Sequence, residues 1–424
     1  MSIGHKMYAL ASELFPICRS ITGDGVRQTL RIIQLELPQL TIHEVPSGTE
    51  AFDWTVPDEW NISSAHLIDP DGDLIVDFSQ NNLHVVGYSE PIDTRIDLSD
   101  LNDHLFSLPE QPRAIPYVTS YYKRFWGFCL AHEVREKLKP GIYHAKINST
   151  LEPGSLTYGE LIIPGNSKQE VLLSTYICHP SMANNEVSGP VVTTQLVKWL
   201  LEQPRRYTYR IVFIPETIGS IVYLSKNIKN MKDNTIAGFN ITCVGDDREY
   251  SYLPTRHGNT LSDRCAKHVL AHTDPNYITY TWLNRGSDER QYNAPGIDLP
   301  VVTVMRSKFG CYPEYHTSLD DLTFITPEGL ENGYLVLRRC LETLETNRFY
   351  KVTVLGEPQL GKRGLYPNIS TNKSVADVKA MINFITYSDG KRDLISIADI
   401  IGLPSWDLTS IVDKLCYHGL LETY

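Results

Sequence analysis

The spacing of apolar and polar positions changes along this 424-residue chain, and each change marks a different kind of element. Residues 6 to 37 carry a helical repeat: Met7, Leu10, Ala11 and Leu14, then, beyond Gly23-Asp24-Gly25, Val26, Leu30, Ile33 and Leu35. That spacing predicts two packed helices. From about Thr41 to Pro164 the pattern becomes β-like. Short apolar runs such as HLIDPDGDLIVDF (66–78), NNLHVVGY (81–88) and GIYHAKINSTL (141–151) are broken by Asp-Gly, Pro and Asn. Asp71-Gly72 between two such runs predicts a hairpin turn. The most aromatic run here, YYKRFWGFCL (121–130), is expected mainly as core, with a share forming a wall of a substrate cleft.

From Glu160 to about Tyr350 strands and helices alternate, the signature of an α/β sheet. LIIP (161–164), VLLSTYIC (171–178), YRIVFIP (209–215), TIAGFNITCVG (235–245), 278–283 and LPVVTVMR (299–306) read as strands. Helices are predicted around 191–201, 218–228 and 262–271, and a last one at 327–346 closes the domain. Residues 351–374, rich in Gly, Pro, Asn and Lys, read as a linker. The tail from Val375 shows three short helical patterns and a closing strand after Gly419, as in a winged-helix or helix-turn-helix module. The domain assignment is therefore 1–45 with 160–350 as the α/β domain, 46–159 as an inserted β-rich domain, and 360–424 as the winged-helix-like domain.

Composition narrows the function. Apolar residues at 42%, charged residues at 21% and 24 Tyr describe a folded chain, and its length predicts two or three domains. A net charge of −11 argues against a nucleic-acid footprint, and the tail repeats the bias, with four basic residues against seven acidic ones from Val375 onward. The tail is expected to serve packing or assembly, homo-oligomers included. No stretch approaches the length of a membrane span or a signal peptide. Eight Cys are scattered without a CxxC pair, which fits reduced thiols and a cytoplasmic location.

Candidate chemistry lies where apolar runs end. The run VLLSTYIC stops at His179-Pro180, passes through small and amide residues to Glu186, and enters a helical pattern at Ser188-Gly189. A strand, a polar loop and a helix start in this order present ligands at the carboxyl edge of an open sheet. YRIVFIP ends in Glu216 in the same way, and beyond LPVVTVMR comes a Pro- and Tyr-containing loop with His316. Asp320 and Asp321 follow it as expected N-terminal charges of the next segment. Loops leaving neighbouring parallel strands converge, so His179, Glu186, Glu216 and His316 are expected around one cleft. Two imidazoles and a carboxylate suit zinc, and a further carboxylate can move protons.

The runs HPSMANNEVSG, PETIGS, SDERQYNAPGIDLP and EYHTSLDDL, in this order, resemble the aminopeptidase-like branch of the zinc exopeptidases, which includes transferrin-receptor-like and leucyl aminopeptidases. The resemblance spans nearly the whole chain, since that branch also carries a β-rich insertion and a C-terminal winged-helix-like unit. It implies a zinc-exopeptidase-like mixed α/β sheet flanked by helices. Ordinary members hold two zincs with a His, a bridging Asp, a Glu-Glu pair, a later Asp and a final His. His179 and His316 match the imidazoles and Glu216 the proton-handling Glu. Asn185, Thr217 and Thr242 stand where three anionic ligands belong. Neutral groups cannot balance two dications in a low-dielectric cleft, so the expectation is one zinc per chain on His179, Glu186 and His316, with Glu216 as general base. Asp288 and Arg290 fall in the substrate-side loop, where an acid receives an amine. Arg290, Arg256 or Arg306 would instead grip a carboxylate. The implied activity is hydrolysis of an amide in a small peptide or acylated amine. A binding protein without catalysis, and a cyclase or deacylase on the same fold, remain open alternatives.

Overall fold

Four strands lie parallel at the centre of an eight-stranded sheet, and their composition explains why. Glu170–Tyr176 and Val301–Met305 are buried at every position, and Thr208–Ile214 and Thr235–Asn240 are nearly so. Strands covered on both faces by helices carry continuous apolar runs rather than alternation. The structure, a computed structural model, describes residues 2–365 and 372–424. From one edge the sheet runs Thr41–Pro46, Ser155–Ile163, Thr208–Ile214, Glu170–Tyr176, Thr235–Asn240, Val301–Met305, Ser251–Leu253 and Ile278–Thr279. Ser155–Ile163 and Ser251–Leu253 join the parallel centre antiparallel, which makes the sheet mixed.

Leaving Glu170–Tyr176, the chain builds first Thr208–Ile214 on one side and then Thr235–Asn240 on the other. Loops on the carboxyl edge therefore part at Glu170–Tyr176 and leave a crevice there. Across the strands, Arg210 donates to both Glu170 carboxylate oxygens (2.7 and 2.9 Å) and to Glu160 (3.2 Å), so a buried guanidinium is neutralised within the sheet.

Helices Ile3–Leu14 and Asp24–Glu36 form as expected, but the second stripe differs at one position. Val26, Leu30, Ile33 and Leu37 face inward, whereas Leu35 is 80% exposed, because it falls outside the buried stripe. Gly23 sets the start of that helix at φ +99°, where a Cβ would lie 2.2 Å from the Trp60 carbonyl oxygen.

The inserted region contains a four-stranded antiparallel sheet in the order Leu74–Asp77, Glu59–Ile68, Ile142–Glu152, Ile92–Asp97. Tyr143, Ala145 and Ile147 alternate inward along Ile142–Glu152 and pack with Leu67, Val76 and Phe128. The predicted Asp71-Gly72 turn is present: Asp69 Oδ1 accepts from the Asp71 and Asp73 amides, and Gly72 has φ +93°. NNLHVVGY is not a strand. The Asn81 side chain accepts from the Leu83 amide and starts a short 3₁₀ turn, Asn82–His84. The run at 278–283 likewise gives only Ile278–Thr279 before a 3₁₀ turn at Trp282–Asn284.

One compact unit consists of Met1–Ser262 and Ile278–Leu335, and a second consists of Asp263–Tyr277 and Val336–Tyr424. Helices Asn372–Tyr387, Leu394–Ile401 and Ser405–Tyr417 and strand Leu421–Thr423 follow the sequence expectation. Within the linker expected at 351–374, the strand Phe349–Val352 extends to Val352 and pairs with Asp389–Asp393 and Leu421–Thr423. Residues 366–371 of that linker lie outside the described residues. Arg264 holds Asp393 through two bonds of 2.9 and 2.7 Å, and His268 accepts from the Ser405 amide while its other nitrogen meets Asp399 at 2.6 Å. Among the described residues no single helix is long and apolar enough to cross a membrane.

Candidate functional site

The His179 loop is held from below by buried polar groups. A π-helical turn, Ala183–Val187, links it to the helix Ser188–Leu201. The Asp320 carboxylate accepts from the amides of Asn184 (2.6 Å) and Asn185 (2.9 Å) and from the Tyr312 hydroxyl (3.0 Å). Asp320 is fully buried, so it is a clamp between the His316 and His179 loops and not the terminal charge expected from its position in sequence. Asn184 bonds Asp246 (2.9 Å) and the Gly245 amide (2.8 Å). Gly189 lets the following helix touch the sheet, since a Cβ there would sit 2.4 Å from the Ile241 carbonyl oxygen.

His179 Nδ1 lies 3.0 Å from Glu186 Oε2, and the other Glu186 oxygen lies 3.3 Å from Nε of Arg19. Arg19, 1% exposed, also donates to the carbonyls of His179 (3.0 Å) and Leu14 (2.6 Å). Carboxylate and guanidinium thus sit behind the imidazole. Nε2 is left on the side of Glu216, 3.8 Å from its Oε2. His316 meets His179 with ring centroids 5.3 Å apart. Tyr315 stacks on it at 3.8 Å and Tyr117 meets it edge-on at 5.1 Å. His316 Nε2 is buried without a hydrogen-bond partner. Burial and a cationic neighbour, Arg19, push His179 down to about 3. Burial and His179 push His316 down to about 2. Both rings are neutral at neutral pH, with lone pairs available to an ion.

Glu216 lies one residue, Pro215, beyond the strand Thr208–Ile214, and its amide donates to Cys178 Sγ at 3.1 Å. Burial, reinforced by Asp288, pushes its carboxyl up to about 8. Thr217, at φ +65°, forms a strained turn whose amide donates to Asp288 Oδ1 (2.7 Å), as does the Ser220 hydroxyl (2.8 Å). Arg290 Nη2 donates to Thr217 Oγ1 at 2.6 Å. Ser181, Thr217, Cys243 and His316 all adopt positive φ around this crevice, the kind of local strain that collects at functional sites.

These groups border a cavity of ≈ 430 Å³, within the range of small-molecule sites. His179, Glu216, Arg290 and His316 line it, and the inserted domain adds Trp54, Tyr117, Tyr121 and Tyr122. Of the residues expected at the site, Glu186 lies behind His179, and Asp288 is buried beneath the Glu216–Thr217 turn. Arg256 is absent from the lining; it pairs with Asp298 and donates to the Asn293 carbonyl. Arg306 donates to the Asp246 carbonyl (2.8 Å) and also lies off the lining. Arg19 and Tyr117 were not identified from sequence; a lone Arg and a Tyr in an irregular stretch carry no periodic signal.

Asn185 and Thr242, where the resemblance implied anionic ligands, are tied into one hydrogen-bonded ring. Asn185 Nδ2 donates to the Tyr176 hydroxyl (2.9 Å), which meets Thr242 Oγ1 at 2.5 Å, and Thr242 donates back to the Asn185 carbonyl (2.9 Å). This closed ring of neutral groups leaves no anion for a dication. Cys178, His179 and Glu186 also form a tight group, with ligand atoms within 4.8 Å. Their polar atoms bond one another, burial keeps the Cys178 thiol protonated, and Arg19 opposes a cation. The other candidate donors are His179 Nε2, 3.8 Å from Glu216, and the unpartnered Nε2 of His316, in rings whose centroids are 5.3 Å apart.

Comparison with known proteins gives the same architecture. The family described as "Domain of unknown function (DUF4910)" matches residues 8–347, and a winged helix-turn-helix family matches 348–423. A Clostridium acetobutylicum protein named for polysaccharide biosynthesis, with an aminopeptidase-like domain, is 45% identical over 99% of this chain and 96% of its own length. A crystal structure from the same organism, described as a peptidase, is 43% identical with a TM-score of 0.93, covering 99% of this chain and 96% of that one. A zinc aminopeptidase from Bacillus subtilis shares the fold at 12% identity and a TM-score of 0.59, over 80% of this chain and 94% of its own.

Proposed function

For a chain that belongs to the DUF4910 family and joins an aminopeptidase-like fold to a winged helix, we propose a single-zinc hydrolase of amide bonds. The observation that carries this reading is the pair of neutral imidazoles flanking Glu216 in one cavity, one of them with an orphaned buried nitrogen. Nε2 of His179 and of His316 would hold the ion, and Glu186, expected from sequence as a third ligand, instead orients His179 from its other nitrogen. When bound, zinc supplies the Lewis acidity that polarises a carbonyl and makes water acidic near neutral pH.

The chain's own groups do the rest. Glu216 takes the proton of the attacking water and returns it to the leaving nitrogen, and its raised pKa suits both transfers. Tyr117, Tyr315 and the buried Arg19 hold the imidazoles in place. Aromatic side chains of the inserted domain cover the substrate and limit water. The substrate is a small peptide or an acylated amine. All eight cysteines are free thiols, which supports a reducing, cytoplasmic setting. The acidic winged-helix unit fits assembly or packing better than nucleic acid.

Metal analysis with an amide panel tests this. Glu216→Gln is expected to retain zinc and lose roughly 10²–10⁴ in kcat. Absence of stoichiometric zinc after dialysis against it would leave the alternative that the neutral Tyr176–Asn185–Thr242 ring favours, a peptidase-like binding protein without catalysis.

A further inference from the structure

The lining of the cavity has one carboxylate, Glu216, and one arginine or lysine, Arg290. The acids of the neighbouring loop lie outside that lining, although Asp288 Oδ2 is buried without a partner. Asp288 accepts from the Thr217 amide and the Ser220 hydroxyl, and Glu289 accepts from the Gly286 and Ser287 amides (2.7 and 3.0 Å) and from Asn240 (3.2 Å). Both are fully buried. A free α-amine entering the cavity would meet only Glu216, the group that must move the proton, and the fixed charge of Arg290 would repel it.

Arg290 is built to receive an anion. Its bond to Thr217 Oγ1 fixes the guanidinium at one Nη2, and its Nε is buried without a partner. A guanidinium so anchored presents a rigid fork of parallel donors, the geometry that carboxylates match. Opposite charge beside the reacting bond also leaves Glu216 free for proton transfer.

We infer that this cavity takes an amide carrying a free carboxylate and no free amine, the class of N-acylated amino acids, with Arg290 as its specificity-determining contact. The inference rests on the hydrolase reading and gives it a substrate class. In the reaction the water oxygen adds to the amide carbonyl carbon, the C–N bond breaks, one water proton passes through Glu216 to the leaving nitrogen, and the proton of the new carboxylic acid is taken up by the released amine. The products are a carboxylate and an amine, with no change of oxidation state.

The test uses the full-length protein and three matched probe sets: N-acetyl amino acids, their methyl esters, and aminoacyl amides with a free α-amine. The zinc-loaded protein should prefer the N-acetyl amino acids by at least roughly tenfold in kcat/KM. Calorimetric binding of the same acids to the chelator-treated protein should weaken roughly ten- to a hundredfold in Arg290→Met and recover in part in Arg290→Lys, while the zinc-loaded, untreated variants keep the wild-type zinc content. If the wild type binds these acids through Arg290 yet hydrolyses none of the probes, the hydrolase reading fails and the inference stands. A preference for free-amine substrates overturns it. So does an Arg290→Met variant that slows all three sets equally and binds the acids as well as the wild type, because Arg290 would then serve only the Thr217 turn. Failure of every carboxylate-bearing probe to bind overturns it as well.

Discussion

Replacing Glu186 separates two roles that a carboxylate can play beside a histidine. It is 1% exposed, with one oxygen 3.0 Å from His179 Nδ1 and the other 3.3 Å from Arg19 Nε. Glu186→Leu leaves the Arg19 guanidinium buried without its partner, which costs up to about 3–5 kcal/mol where the Glu186 carboxyl, pushed up to about 8 by burial, is ionised. At about 2–4 °C per kcal/mol, this lowers the thermal midpoint by about 6–20 °C, toward the smaller end for a unit this large. Glu186→Gln keeps the shape and an acceptor for Nδ1–H, so it should lose stability to a smaller extent.

Zinc affinity, measured by competition with a chromophoric chelator, is the deciding readout. Loss of an orienting partner lowers affinity about 10–100-fold, whereas a direct ligand's loss abolishes stoichiometric binding. The expected result for Glu186→Gln is therefore a drop of at most about tenfold, and for Glu186→Leu about 10–100-fold. The double variant Arg19→Met/Glu186→Met removes both charges and should recover most of the stability while keeping the weakened zinc affinity. A folded Glu186→Gln protein without zinc would make Glu186 a ligand and refute the orienting role. Unchanged affinity in Glu186→Leu would remove any role at all.

Asn185→Asp puts one anion into the Tyr176–Asn185–Thr242 ring, yet on the single-zinc proposal elemental analysis should still find one zinc per chain. Tyr176 and Thr242 remain there, and Thr217 stays neutral; two zincs per chain would show that the ring is displaceable. Glu59 gives an acid-stability prediction. Its bonds to Arg27 and the Ser155 amide hold its carboxyl at about 2, below the usual 4.5. The stabilisation is complete above about pH 4.5 and disappears as pH falls toward 2; its size, discounted for partial exposure, is on the order of 1–2 kcal/mol. Urea midpoints of wild type and Glu59→Gln should therefore differ at pH 6 and converge near pH 2.5. A gap that does not narrow would contradict the assignment.

Much of the architecture was legible because period and strand endings are local properties. Continuous apolar runs identified the buried parallel strands, and strand-ending polar residues placed His179, Glu216 and His316 on one edge. Local chemistry also misled where short-range hydrogen bonds competed with pairing, as at Asn81, whose side chain turns NNLHVVGY away from a strand. The strand Phe349–Val352 was hidden because its partners, Asp389–Asp393 and Leu421–Thr423, lie about 40 and 70 residues further along.

What the sequence determined by itself was the order of elements, the residue types able to bind an ion, and the neutral character of Asn185, Thr217 and Thr242. Tertiary structure decided which atoms face the cavity. A side chain's direction depends on neighbours that fold in from elsewhere: Arg19 draws Glu186 behind His179, the Thr217 turn takes Asp288 as its support, and the inserted domain supplies Tyr117. Burial also sets the protonation of the imidazoles, through a loss of water that no linear spacing records.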